Sequence, residues 1–480
     1  MKPPQPADSE LLKIEMSLAQ NNRFSKIFEL YPCLSERSTG FWMASRRRLT
    51  QFGFVGCGVA SLGCYWGLTE LGLFRENVPE FIFAYLVLFV LYLLALSLLN
   101  LSPHHCRIQL VIILFFGLTY RFLLVAVPPA LSDDIYRYAW EGYLQTEGVN
   151  PYQYSPQSGA LVTYRNEFWA SINNKEVSAI YPPLAQMVHA LIFLGFRSVV
   201  GFKLVFLIIE CGLIWAVLAL LKLRREKLSQ ILVYAWNPLV IIETAGSGHH
   251  DVLVVGLLLW AVFFLQTRWQ LGTVIFFGGA ILSKLYPLIM IPIFLKRLSA
   301  RYWGYLIIFF GAMFLPYLGA GERIFDGLRL YRDKWRFNGF LFSWLAGEVS
   351  SQVAVEGLLL GCLLVLLGVG LFGGYCSLRQ LFWLTGAIIL FSPSLHPWYL
   401  VWIVPYLCFF PNPAWLFLSG ASVLSYEVLI DWWTLNIWHS DPLFTKLQYY
   451  PFLGVLIFVW IQAYVRRRKR SRNDFKSFKF

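Results

Sequence analysis

Apolar runs recur along almost the whole chain, broken by short basic or aromatic-rich stretches. The runs 52–74, 81–99, 108–127, 202–221 and 447–465 each approach the ~20 apolar residues that a helix needs to cross a hydrocarbon core. The same length rule applied to every run predicts an all-α polytopic membrane protein of about 11–13 transmembrane helices within residues 51–465. Two polar segments interrupt the pattern: 129–181, rich in Tyr, Pro and Asn, and 319–338, densely charged. A segment as long as the first usually serves function rather than connection, and its periodicity predicts interfacial helices. The run 271–295 is too short for two crossings and is interrupted by Ser283, Lys284, Tyr286 and Pro287. It reads as two half-helices meeting inside the membrane, which is permissible where backbone lines a polar cavity.

Composition sharpens this picture. The 480 residues are 58% hydrophobic and 18% aromatic but only 14% charged, so a bilayer is the solvent this chain suits and no separate soluble domain is expected. The net charge of +13 is concentrated at Arg46, Arg47 and Arg48 and at Arg466, Arg467, Arg468, Lys469 and Arg470, beside apolar runs. That placement follows the positive-inside bias rather than a nucleic-acid footprint. Residues 1–50 are expected to be a cytosolic segment without a cleavable signal and 466–480 a basic cytosolic tail, in a plasma (inner) membrane protein. Alternation from Arg48 then sets 129–181 and 319–338 on the outer side. Six of the eight cysteines, Cys106 among them, lie in or beside apolar runs and read as small hydrophobes rather than a disulfide framework.

The candidate chemistry gathers where the alternation meets the outer face. Ser132-Asp133-Asp134 can cap a helix on which Asp134, Arg137, Tyr138 and Glu141 share a face. A carboxylate there, Asp133 or Asp134, can take a proton from a hydroxyl attacking an anomeric carbon; the competing reading is that both acids only cap the helix. Asn150, in Gly148-Val149-Asn150-Pro151-Tyr152, and Tyr181, before Pro182-Pro183, extend the polar surface. Glu243, His249 and Asp251 close an apolar run in Glu243-Thr244-Ala245-Gly246-Ser247-Gly248-His249-His250-Asp251. Adjacent side chains seldom converge on one ion and the spacing is not that of a zinc site, so these residues are expected to orient sugar hydroxyls or phosphate oxygens and no metal is expected. Lys284 and Arg121 are cations in apolar surroundings, which need an anion, a water-filled cavity or a route to the interface; Glu210 is a candidate structural partner for either. His396, Trp398 and Tyr399 form an aromatic turn suited to a substrate contact or to an interfacial belt. Gly368 to Gly373 matches a dinucleotide fingerprint by letters alone, with no strand before it, so neither nucleotide nor other cofactor is implied.

The ordered motifs SDDIYRYAWEG, GVNPY, YPP, WNPLVIIE, GSGHHD, SKLYP and HPWY resemble those of GT-C glycosyltransferases, especially bacterial polyprenol-phosphate-mannose-dependent mannosyltransferases. The resemblance runs from about Arg121 to Tyr399. It implies transfer of a sugar from a polyprenyl-phosphate carrier to a lipid or glycan acceptor at the outer membrane face, by inverting displacement without a metal. Related actinobacterial alpha-1,6-mannopyranosyltransferases carry a single Asp before Val-Tyr-x-Tyr; it falls on Asp134, which makes Asp134 the expected base and Asp133 the second choice. Lys284 and Arg121 are then expected to steady the departing phosphate. The His-rich GSGHHD element departs from that pattern and leaves the sugar open. A transporter would also explain many spans and intramembrane charges, but not a long outer loop opening on paired acids. A lipid-linked glycan ligase or polymerase would be expected to carry basic and His residues in that loop instead.

Overall fold

The computed structural model describes residues 41–101, 107–372 and 377–477. The first forty residues of the expected cytosolic segment, Cys106 and Gly373 lie outside them, as do the side chains of Arg46 to Arg48 and of the basic tail from Arg466. Every regular element is helical, and among the described residues extended pairing is limited to isolated bridges of Phe337 and Asn338 to Ser394. Among the described residues, eight helices are long and apolar enough to cross a membrane, or nine if the bent pair Pro238–Gly246 and Asp251–Gln266 counts as one span. Shorter apolar helices add Pro183–Phe196, Gln270–Ser283, Tyr286–Leu295 and Ser377–Phe391. The expected eleven to thirteen spans are reached only when these short helices enter the bilayer as well.

The apolar runs fold as the length rule requires, and many carry their start signals with them. Pro183 and Pro238 stand in the first helical turn, where a missing N–H costs nothing. Ser198 and Asn237 cap the helices that follow them. Burial is uneven. Pro413–Leu435 is 72% buried and Val199–Leu223 56%, whereas Ser351–Val369 is 11% buried and offers Leu359, Leu360 and Leu363 to lipid.

Two expected elements differ from the structure. By run length and alternation, 232–245 predicts an outward crossing and 252–265 its return; instead a π-helical turn, Ile242–Gly246, ends the first stretch, and the chain bends by 117° before Asp251–Gln266. Such turns insert a residue into a helix and are frequent at functional sites. The 319–338 segment is no loop for most of its length: helix continues through Leu315–Phe325 and Asp326–Lys334, kinked at Gly321, whose φ of 54° suits glycine. The broken hairpin, by contrast, is present. Gln270–Ser283 stops at Lys284, which is extended, and a tight turn from Tyr286 leads to Ile291–Leu295.

The two polar segments pack on each other. Asn150 Nδ2 donates to Tyr317 O at 3.1 Å, Gln153 Nε2 to Gly319 O at 3.1 Å, and Tyr317 OH to Gln145 Oε1 at 2.7 Å. Gly327 lies so close to the Ser178 and Ala179 carbonyls that no side chain fits. Through Gln145 this packing rests on the helix Asp134–Thr146.

Candidate active site

The helix Asp134–Thr146 sets its first residue against the 117° bend, because Ile135, Tyr138, Ala139 and Gly142 are buried and fix the helix face. Gly142 touches the His189 carbonyl across the interface with Pro183–Phe196, too closely for a Cβ. At the bend, Gly248 has φ +75° and lies against Ile135, where a Cβ would collide. That glycine delivers His249 to Asp134.

The paired acids separate in role. Asp133 accepts from Arg75 Nη2 at 2.7 Å, and the same guanidinium donates to Ala130 O at 2.9 Å, so Asp133 ties the loop entry to the preceding helix hairpin. Asp134 makes no side-chain hydrogen bond among the described residues; its Oδ2 is 3.7 Å from His249 Nδ1, and 26% of its side chain is exposed. Burial raises its carboxyl to about 6, against the pull of Lys284 and Arg137 and with help from Asp251 and Asp133. A base with such a value is half ionised at about pH 6 and mostly ionised at neutrality, and its exposed edge is open to an incoming hydroxyl.

Opposite Asp134 lies a buried polar cluster. Glu243 accepts from Tyr426 OH through Oε1, while its Oε2 has no hydrogen-bond partner and sits 3.6 Å from His249 Nε2. Asp251 Oδ1 accepts from Lys284 Nζ at 2.6 Å and from Trp402 Nε1, leaving Oδ2 unpaired. The Lys284 ammonium also stands 4.8 Å from the Tyr399 ring centre and 4.9 Å from that of Trp402. His249 stacks on Trp398 at 4.2 Å and His396 on its other face at 4.3 Å. Both faces of Trp398 are therefore covered, and only its edge is offered to a ligand. Unsatisfied buried groups are costly, so several gathered in one place mark a site completed by something polar.

The remaining candidates are placed elsewhere. Arg121 is fully buried and grips Glu210 through Nε at 2.9 Å and Nη2 at 2.7 Å, with Nη1 on the Gly117 and Ala235 carbonyls. Tyr234 OH and Thr244 Oγ1 complete Glu210 at 3.0 Å each, so this pair is internally satisfied. Arg137 holds the loop through the Val177, Asn173 and Asn174 carbonyls, and Glu141 accepts from Gln186 at 2.7 Å. Tyr138 and Tyr181 enclose His250 with His189, whose Nε2 lies 3.2 Å from His250 Nδ1. His249, His250 and Asp251 thus face three different sets of neighbours, and no group of three metal-ligating side chains converges among the described residues.

Sequence reasoning missed Arg75, His189, Tyr426 and Trp402. Trp402 had a signal: it follows Tyr399 by three, and side chains at that spacing eclipse in a 3-10 turn such as Pro397–Trp402. Arg75 and Tyr426 act across long sequence separations and carry no local pattern.

A family model described as alpha-(1->6)-mannopyranosyltransferase, N-terminal domain, matches residues 48–300, more than half of the chain. An alpha-(1->6)-mannopyranosyltransferase of Mycobacterium tuberculosis is 28% identical over 153 residues, which is 29% of this chain and only 25% of that protein's length. No solved structure matches. The matched region contains Asp134, Glu243, His249, Asp251 and Lys284 but not His396, Trp398 or Tyr399.

Proposed function

This chain belongs to the alpha-(1->6)-mannopyranosyltransferase family, and on that premise we propose that it is a GT-C-type inverting mannosyltransferase, using a polyprenyl-phosphate-linked sugar to extend a lipid or glycan acceptor at the outer face of the plasma membrane. The observation that carries this reading is Asp134: a partly exposed carboxylate with no side-chain hydrogen bond, set beside a cluster of buried, unsatisfied polar atoms. In the reaction, the acceptor oxygen attacks the anomeric carbon as Asp134 takes its proton. The bond from that carbon to the phosphate oxygen breaks, and its electron pair leaves with the polyprenyl phosphate. Lys284 supplies positive charge where the phosphate becomes more negative, an interaction that strengthens in the transition state. In the resting protein Asp251 neutralises Lys284; donor phosphate then competes with Asp251 for the ammonium, freeing Asp251 oxygens for sugar hydroxyls. Arg121 has no such freedom, its guanidinium being spent on Glu210 and backbone carbonyls.

The test is transfer from radiolabelled polyprenyl-phosphate sugars by the purified protein, wild type beside Asp134→Asn. The variant is expected to fold and bind donor while losing about 10²–10⁴-fold in turnover, the span for removal of a general base. Unchanged turnover would remove Asp134 from the mechanism. Movement of unmodified solute across vesicles, with no glycoside formed, would favour a transporter.

A further inference from the structure

His249 is expected from its residue type to contact the sugar, yet its surroundings fit another task. The ring is 1% exposed, and neither nitrogen has a hydrogen-bond partner. Each nitrogen instead faces a carboxyl oxygen, Asp134 Oδ2 at 3.7 Å from Nδ1 and Glu243 Oε2 at 3.6 Å from Nε2. Those two oxygens close off the nitrogen approaches, and the gaps are too narrow for a water or a sugar hydroxyl to enter. Stacking on Trp398 at 4.2 Å holds the ring in its plane, and Tyr426 fixes the far oxygen of Glu243. A contraction of under about 1 Å, of the kind that accompanies substrate binding, would make both contacts hydrogen bonds.

We propose that His249 is a positioning residue and proton relay that links Asp134 to Glu243. Resting on the glycosyl-transfer reading above, the step runs as follows. The acceptor O–H bond breaks and the proton moves to Asp134 Oδ2. It then passes to His249 Nδ1, breaking the Oδ2–H bond and regenerating the Asp134 carboxylate. As it arrives, the Nε2–H proton passes to Glu243 Oε2, so the ring stays neutral throughout; when product leaves, the two transfers run in reverse and the proton departs to water from Asp134, the exposed member of the three. The logic is that of a base whose partner is oriented by a third group, with the order of carboxylate and imidazole exchanged. Burial keeps the ring neutral, against the pull of Asp251 and with help from Lys284, His250 and His396, the other titratable groups that face it.

Two measurements on the full-length protein in detergent test this. In the transfer assay, His249→Phe keeps the stacking surface and removes both nitrogens; it is expected to lower kcat at least 50-fold with donor and acceptor KM within about three-fold, and His249→Gln, which keeps an amide to meet Asp134, to recover part of the loss. A kcat within three-fold of wild type, or a loss confined to KM, overturns the proposal and returns His249 to sugar contact. A wild type that transfers no sugar would defeat the functional reading instead. Independently of turnover, ¹⁵N-histidine spectra, with His249 identified by its absence in His249→Phe, are expected to report an Nε2–H tautomer that changes in both Asp134→Asn and Glu243→Gln. A signal indifferent to both substitutions overturns the relay whatever the activity.

Discussion

Asp133 and Asp134 adjoin in sequence, and their surroundings give them separate work. Arg75 occupies the first, whereas nothing donates to the second. Because burial lifts the Asp134 carboxyl to about 6, the base form grows as pH rises through that value. Turnover is expected to fall about ten-fold per unit below pH 6 and to level off above it, an acid limb that Asp134→Asn abolishes. A profile flat from pH 4.5 to 7.5 would contradict the assignment. Stability carries the opposite sign. The folded protein holds this proton more tightly than the unfolded chain does, so the stabilising contribution is complete below the ordinary carboxylate value and is lost as pH rises through about 6. Asp134→Asn is therefore expected to melt no lower than wild type at pH 7, the pattern of a residue kept for chemistry at some cost to the fold. The motif was legible as a capped helix opening on acids; which acid is unpaired was not, since Arg75 lies far away in sequence.

At the scale of elements, the decisive feature is the bend that carries Glu243 and His249. The π-helical turn Ile242–Gly246 is pinned by Thr244 to Glu210, which Arg121 locks to the Gly117 and Ala235 backbone. Three segments meet in one satisfied polar network, inside the part of the fold where an unpaired charge is most expensive. Arg121→Met alone strands Glu210 and is expected to cost about 3–5 kcal/mol, whereas the double change Arg121→Met with Glu210→Leu should recover most of that loss. Denaturation in detergent across the full double-mutant cycle checks this; additive losses would show that the pair acts as two independent residues. From the sequence, Arg121 had an anion to find, and Glu210 was one candidate. The choice between that carboxylate and a substrate phosphate lay with the packing of the helices Arg107–Val125 and Val199–Leu223.

For the whole molecule, the two polar segments pack together through Asn150, Gln153 and Tyr317, and Tyr331 OH meets the hydroxyl of Tyr399, whose ring borders the Lys284 ammonium. Under the proposed function a lipid-borne donor would enter sideways from the bilayer and an acceptor from the aqueous side, so the face on which these segments lie decides which compartment is served. The basic flanks predict the outer face. A cysteine replacing exposed Ala160 is expected to react with a membrane-impermeant maleimide in intact cells, and one replacing exposed Lys227 only after permeabilisation. The reverse pattern would invert the topology and remove the proposed site from the outer leaflet.

The sequence by itself determined the solvent, the helical class and the residue types available for chemistry, because apolar run length and helix-start residues act locally. It also located the break at Lys284, where a polar residue and a nearby proline interrupt an apolar run. Tertiary structure alone decided the rest: that Asp133 is spoken for, that Arg121 belongs to Glu210, that 232–266 folds back at 117°, and that His249 stands between two carboxyl groups. Each of these depends on which partner reaches a charged group first when distant segments pack, and a buried charge takes its partner from space rather than from its neighbours in the chain.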